Sequence, residues 1–175
     1  WLDAGLLSGA DLDRRWAQAL HRGADRAPLL RLLQACSRLG DGPMRFAAVG
    51  ALPLVGGPFG LRCALLLVAV GGVNLALYWS LKRGVGRARP FVGCPDIRAC
   101  ARALDPFSFP SGHTLHAVTF AVLLSARYGW VAAPLWAFAV LVAASRVVLG
   151  LHYPSDVLVG AVIGAFTAAL AIPFL

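Results

Sequence analysis

From Leu61 to Leu81 the only charged side chain is Arg62, and the stretch closes on Tyr78 and Trp79. A helix needs about 20 mostly apolar residues to cross the hydrocarbon core of a bilayer, and Trp and Tyr favour its borders. The segment meets both conditions. Backbone N–H and C=O groups find no water inside lipid, so a chain that enters the membrane must satisfy them as helices or as a closed barrel. Further apolar runs occupy 44–55, 113–126, 130–149 and 157–175. The run at 44–55 is short and contains Pro53, and the run at 113–126 is short unless residues 109–112 begin it. Lengths of this order predict helices rather than strands. The expected fold is an all-α integral membrane helical bundle of about five transmembrane helices, a multi-pass protein. Of the 175 residues 59% are hydrophobic and 14% charged, a balance that disfavours a soluble domain.

Residues 10–39 read differently. Leu12, Trp16, Leu20, Leu29, Leu30, Leu32 and Leu33 alternate with Arg14, Arg15, Arg22, Arg26, Arg31 and Arg38 at helical spacing, with a break expected at Pro28. Such a segment predicts an amphipathic helix in the interface plane, Arg toward headgroups and Leu and Trp toward acyl chains. The length fits a single domain, 1–175, with an amphipathic interfacial region at 1–43 and a transmembrane bundle at 44–175. Gly71, Gly72, Ala143, Ala144 and the GxxxG pair Gly160 and Gly164 would let helices approach closely.

The formal charge is +8, from 16 Lys and Arg against 8 Asp and Glu. Membrane-surface anchoring explains it, and so does an acidic ligand, because Arg forks match phosphate oxygens. No nucleic-acid partner is expected, since no binding motif accompanies the charge. Cys36, Cys63, Cys94 and Cys100 have no zinc-type spacing; Cys94 and Cys100 share a polar loop and could pair only in an oxidising compartment.

Polar residues gather in three clusters at the edges of the apolar runs. Lys82 is followed by Arg89 and Pro90; Pro110, Ser111, Gly112 and His113 open a run; Ser145 and Arg146 precede His152 and Asp156. Alternating spans bring all three to one membrane face. The cations Lys82, Arg89 and Arg146 suit a phosphoryl group, whose charge spreads over several oxygens. The N–H groups that begin a helix at Ser111–His113 add an anion site, although Ser111 also fits as an ordinary N-cap. Gly112 would allow backbone close to a ligand. His152 and Asp156 stand four apart, so a carboxylate can reach the imidazole if the turn is helical; Pro154 stands against a regular helix there. His21 is expected to be an interfacial residue, and His116 to line the site entrance.

Together the three clusters resemble the signature of the type 2 phosphatidic acid phosphatase (PAP2) superfamily, over roughly residues 60–175, and within it the membrane-bound bacterial lipid phosphatases. The resemblance implies a phosphoric monoester or diphosphate hydrolase. His152 would attack phosphorus to give a phosphohistidine, Asp156 would orient it, and His113 would protonate the leaving oxygen, with Lys82, Arg89, Ser111, Gly112 and Arg146 binding substrate. It also implies no cofactor and no metal, and the three cations would repel a divalent ion at His113, His152 and Asp156. Expected substrates are membrane lipid phosphates: undecaprenyl diphosphate first, then phosphatidylglycerophosphate, phosphatidic acid or a polyprenyl-linked sugar phosphate. The alternatives are a lipid-phosphate phosphotransferase and a non-enzymatic lipid-phosphate binding membrane protein. Only Arg62 and Arg127 among the 16 bases fall on the face opposite the clusters, which places the site in the cytoplasm by the positive-inside rule. Many bacterial relatives work at the outer face, so the orientation stays open.

Overall fold

A 43-residue helix would extend about 65 Å, roughly twice the hydrocarbon thickness of a bilayer. The helix Pro43–Val85 has that length and resolves the conflict by breaking at Gly57, whose backbone (φ 55, ψ −139) is non-helical. The chain doubles back there: a Cβ on Gly60 would lie 1.9 Å from the carbonyl oxygen of Leu52. The apolar runs expected at 44–55 and 61–81 are thus two arms of one hairpin, joined through Gly56, Gly57 and Pro58.

The computed structural model describes residues 9–175, so the first eight residues of the expected interfacial region lie outside it. In chain order the helices are α1 (Gly9–His21), α2 (Ala27–Gly40), α3 (Pro43–Val85), α4 (Pro90–Gly93), α5 (Gly112–Arg127), α6 (Ala132–Val148) and α7 (Pro154–Ala171). The described residues form no strand beyond one isolated antiparallel bridge between Ala88 and Phe107. The all-α membrane fold expected from the apolar runs is the fold observed. By length and composition, α3, Gly129–Val148 and Pro154–Phe174 can each cross a membrane.

At 16 residues α5 is shorter than these, and it takes the centre. Leu115 and Leu123 are fully buried and Ala121 nearly so, with α3, α6 and α7 packed around it. A central helix needs less length than one bathed in lipid.

In α1 the residues turned into the protein are Asp13, Ala17 and His21, while Leu12, Trp16 and Leu20 are exposed. A soluble helix would present the opposite face, so this apolar stripe suits lipid. The break after α1 comes at the 3₁₀ turn Arg22–Asp25, ahead of Pro28 rather than at it. Pro28 sits in the first turn of α2, where its missing N–H costs nothing. His21 pins α1 to the bundle: its Nδ1 donates to the Val148 carbonyl at 2.8 Å, and its Nε2 accepts the Arg98 N–H at 3.2 Å. The four cysteines are free thiols, with Cys94 turned toward Tyr153 and Cys100 packed near Leu149.

Two glycines set the spacing of α5 and α7. A Cβ on Gly160 would lie 2.6 Å from the Ser111 carbonyl oxygen, and one on Gly164 would lie 2.2 Å from that of Leu115. The GxxxG pair therefore serves contact within the chain, backbone against backbone. Thr119 ties the contact laterally, its hydroxyl proton shared between the Leu115 carbonyl at 2.9 Å and the Gly164 carbonyl at 3.1 Å while its oxygen accepts from Asn74 of α3 at 2.9 Å.

Gly164→Val should accordingly lower the melting midpoint in detergent by several degrees, because overpacking costs about 1–3 kcal/mol. Gly72→Ala, which meets nothing within 4 Å, should leave it within a degree or so. Equal midpoints for the two variants would contradict the backbone contact.

Candidate active site

At the end of α6 the chain reverses so tightly that the N–H groups of both Leu151 and His152 donate to the Arg146 carbonyl, at 3.1 and 3.0 Å. Gly150 (φ 76) makes the turn, and a Cβ there would lie 2.4 Å from the Arg98 carbonyl oxygen. This local geometry places Arg146 and His152 side by side. Both are 2% exposed, inside a membrane-edge protein where unpaired charge is costly.

Lys82 comes from the last turn of α3, which Gly86 ends in a left-handed cap, and Arg89 precedes Pro90 in the extended backbone such a residue favours. Both cations are buried and both meet one carboxylate. Lys82 Nζ donates to Asp105 Oδ1 at 2.8 Å and to the Phe107 carbonyl at 2.5 Å. Arg89 donates to Asp105 Oδ1 at 3.2 Å and to the carbonyls of Asp105 and Leu151 at 2.9 Å each. Asp105 also accepts from Tyr78 at 2.6 Å and from the Phe107 N–H at 2.9 Å. Burial by itself would raise the Asp105 carboxyl, but these hydrogen bonds and the Lys82 and Arg89 charges hold it below the usual range.

Arg89 Nη1 lies 3.3 Å from His152 Nε2. A guanidinium only donates, so Nε2 is the lone-pair nitrogen and Nδ1 carries the proton. Burial first, and then Arg146, Arg89 and Lys82, push His152 well below the ordinary imidazole value. The ring is neutral, with its unprotonated nitrogen among cations.

Asp156 lies close to His152 but makes no hydrogen bond to it. Its Oδ2 is 3.7 Å from His152 Nδ1, which is buried without a hydrogen-bond partner. The reason is local: α7 begins at Pro154, so His152 precedes the helix and the carboxylate serves its cap, accepting the Tyr153 N–H at 2.8 Å. Its other oxygen accepts from Arg87 Nη1 at 2.8 Å.

His113 stands in the first turn of α5, and its Nε2 is hydrogen-bonded to Asp41 in the α2–α3 turn. That bond, helped by the charges of His113, Arg146 and Arg45, keeps the Asp41 carboxyl low against the opposing effect of burial. Ser111 is the N-cap residue of α5 but makes no side-chain cap; its hydroxyl meets that of Thr114 at 3.0 Å. Its N–H donates to the Asp156 carbonyl at 3.0 Å, which joins the second and third polar clusters directly. Gly112 packs against Tyr78: a Cβ would lie 2.6 Å from the ring. His113, Gly112, Asp41, Tyr78 and His116 line a cavity of about 200 Å³.

Residues 60–175, which contain all three clusters, match the family described as the PAP2 superfamily. The chain belongs to the PAP2 superfamily. It is 37% identical over 140 residues to the decaprenylphosphoryl-5-phosphoribose phosphatase of Mycolicibacterium smegmatis, covering 78% of this chain and 74% of the relative. The crystal structure of Aquifex aeolicus LpxE superposes with a TM-score of 0.79 at 26% identity, over 91% of this chain and 93% of that one. A transmembrane PAP2-type phosphatidylglycerolphosphate phosphatase from Bacillus subtilis shares the fold, with a TM-score of 0.74 at 24% identity over 91% of this chain and 84% of that one. The protein is a membrane phosphatase, and its relatives are lipid phosphatases.

In this PAP2 protein Lys82, Arg89, Arg146 and His152 converge, with Ser111, Gly112 and His113 on the adjoining helix start. Among the described residues no group of three His, Cys, Asp or Glu side chains could hold a metal ion. Asp41 and Asp105 were not singled out from sequence, and Tyr78 was read there only as an aromatic at the membrane border. A signal for the two carboxylates exists: with 8 acids against 16 bases, an Asp beside a polar loop is a scarce counter-ion.

A neutral His152 has a consequence for stability. Its folded value lies below the ordinary value of about 6.5, so the unfolded chain binds a proton first as pH falls. The stability present above about pH 6.5 is then lost progressively toward lower pH. The melting midpoint should drop between pH 7 and pH 5, and His152→Gln should drop less. A difference between the two proteins that does not change with pH would contradict the neutral ring.

Proposed function

We propose that this phosphatase removes the terminal phosphate of a polyprenyl lipid diphosphate or polyprenyl-linked sugar phosphate through a phosphohistidine on His152, without a metal ion. The observation that carries the reading is the Arg89 N–H on His152 Nε2, which leaves that nitrogen with its lone pair among three buried cations. In the first step the Nε2–P bond forms as the bond from phosphorus to the leaving oxygen breaks, and His113 gives that oxygen a proton. In the second step water attacks phosphorus, the P–N bond breaks, and His113 takes the proton of the water. Lys82, Arg89, Arg146 and the free N–H groups at the start of α5 stabilise the oxygens of the moving phosphoryl group. Undecaprenyl diphosphate, expected from sequence, is joined as a substrate to test by polyprenylphosphoryl sugar phosphates, which the name of the Mycolicibacterium relative supports.

The test is phosphate release by purified protein in detergent containing EDTA. Wild type should release phosphate from these lipids, and His152→Ala should be slower by at least about a thousandfold. Radiolabelled phosphate should become acid-labile and base-stable on wild type alone. Release that EDTA abolishes would end the metal-free reading.

Asp41 serves the acid step by holding His113. Asp41→Asn should lower kcat on a lipid phosphate by about 10–100-fold, part of the 10²–10⁴-fold that general acids contribute. On p-nitrophenyl phosphate, whose leaving group needs no proton, the loss should be severalfold smaller. Equal losses on both would remove Asp41 from that step.

A further inference from the structure

Arg45 stands in the first turn of α3, at the meeting of three cavities. It lines the cavity at the site together with Asp41, His113 and His116. It lines an apolar cavity with Leu39, Met44, Phe120 and Phe138, which His113 also borders. It lines a third between the two arms of α3, beside Val49 and Val68. A cation at such a junction faces the cavity bordered by His113 and Asp105 on one side and apolar cavities on the other two.

Each neighbouring cation has at least one partner, and only the Nε of Arg146 among their atoms is buried without one. Lys82 and Arg89 share Asp105, Arg87 meets Asp13 and Asp156, and Arg146 donates to Ser37 at 2.5 Å. Arg45 makes no hydrogen bond or ion pair with any described residue, and its buried Nε is without a partner. Asp41, four residues earlier, attracts it but gives Oδ1 to His113. A half-buried guanidinium left this way is costly, and the donors of its two Nη atoms are available to an anion.

Its position decides which anion. The cations that hold the transferred phosphoryl group lie with His152, whereas Arg45 shares two cavities with His113, on the side where the leaving oxygen departs. We propose that Arg45 binds a second phosphate, one that is not transferred and that the leaving half of the substrate carries, while the adjoining apolar cavities receive the lipid chain. The inference rests on the phosphatase reading above and refines it. The substrate class is a lipid with two phosphates in series, a polyprenyl diphosphate or a polyprenylphosphoryl sugar phosphate. A lipid whose single phosphate is esterified to an uncharged alcohol would leave Arg45 without its anion.

The experiment compares farnesyl diphosphate, farnesyl monophosphate and phosphatidic acid as substrates in a non-ionic detergent free of anionic lipid, for wild type, Arg45→Gln and Arg45→Lys. Wild type should favour the diphosphate in kcat/KM. Arg45→Gln should lower the ratio of diphosphate to monophosphate kcat/KM by about tenfold, and Arg45→Lys, which keeps the charge without the fork, should restore part of it. The ratio is internal to each preparation, so a partly unfolded variant does not imitate the result. An unchanged ratio, with or without a general loss of rate, would overturn the second-phosphate site while leaving the phosphatase reading intact; it is the outcome expected if Arg45 only meets headgroups of surrounding lipid. No release from any substrate by wild type would overturn both.

Discussion

One carboxylate makes the buried cation cluster possible. Three positive side chains at the edge of a bilayer repel one another and lose their water, and neither cost is recovered without a counter-charge. Asp105 supplies it to Lys82 and Arg89 at once, accepts the Tyr78 hydroxyl, and closes its own loop through the Phe107 N–H. The loop between α3 and α5 is thereby clamped over the end of α3. Because Asp105 is shared by two cations and Arg146 has, among the described residues, only the Ser37 hydroxyl, the cluster keeps positive charge to spare, as a site for a phosphate dianion would require.

A second clamp ties the amphipathic segment to the same place. Arg87 donates to Asp13 of α1 and to Asp156 of α7, and its guanidinium lies 4.0 Å from the centre of the Tyr153 ring. Asp13 also accepts from the Ser155 N–H at 3.0 Å and from its hydroxyl. Helix α1 is therefore part of the structure that supports the site. It supplies a carboxylate to the network behind His152, and its polar stripe faces inward for that reason.

The parts of this arrangement that could be read in the sequence share one property. Polar residues at the ends of long apolar runs stand out against a background that excludes them, so Lys82, Arg89, His113, Arg146 and His152 were visible as a group before any fold was known. Asp41 and Asp105 were not, because each acquires its meaning from a partner far along the chain: Asp41 pairs 72 positions away with His113, and Asp105 pairs 23 positions away with Lys82. Spacing along the chain carries no trace of such contacts. The His152–Asp156 spacing was informative in part: Asp156 Oδ2 lies 3.7 Å from His152 Nδ1, but Pro154 starts α7 after His152 has passed, so no regular helix sets the pair. The doubled-back α3 is legible only in part, since Pro53 and the Gly56, Gly57, Pro58 sequence announce a break without giving its angle.

The two glycines of α7 have an effect beyond packing. They let α7 lie on α5 main chain to main chain, and the Ser111 N–H completes the join on the Asp156 carbonyl. The spacing between the segment bearing His113 and the segment bearing His152 is consequently a property of two backbones and not of the side chains around them. Residues such as Leu158, Val162, Phe166 and Leu170, exposed along the outer face of α7, can change with the lipids of the host membrane without transmitting the change inward. A protein of this construction can be refitted to a thicker, thinner or more rigid bilayer while the chemistry at its edge keeps the same dimensions.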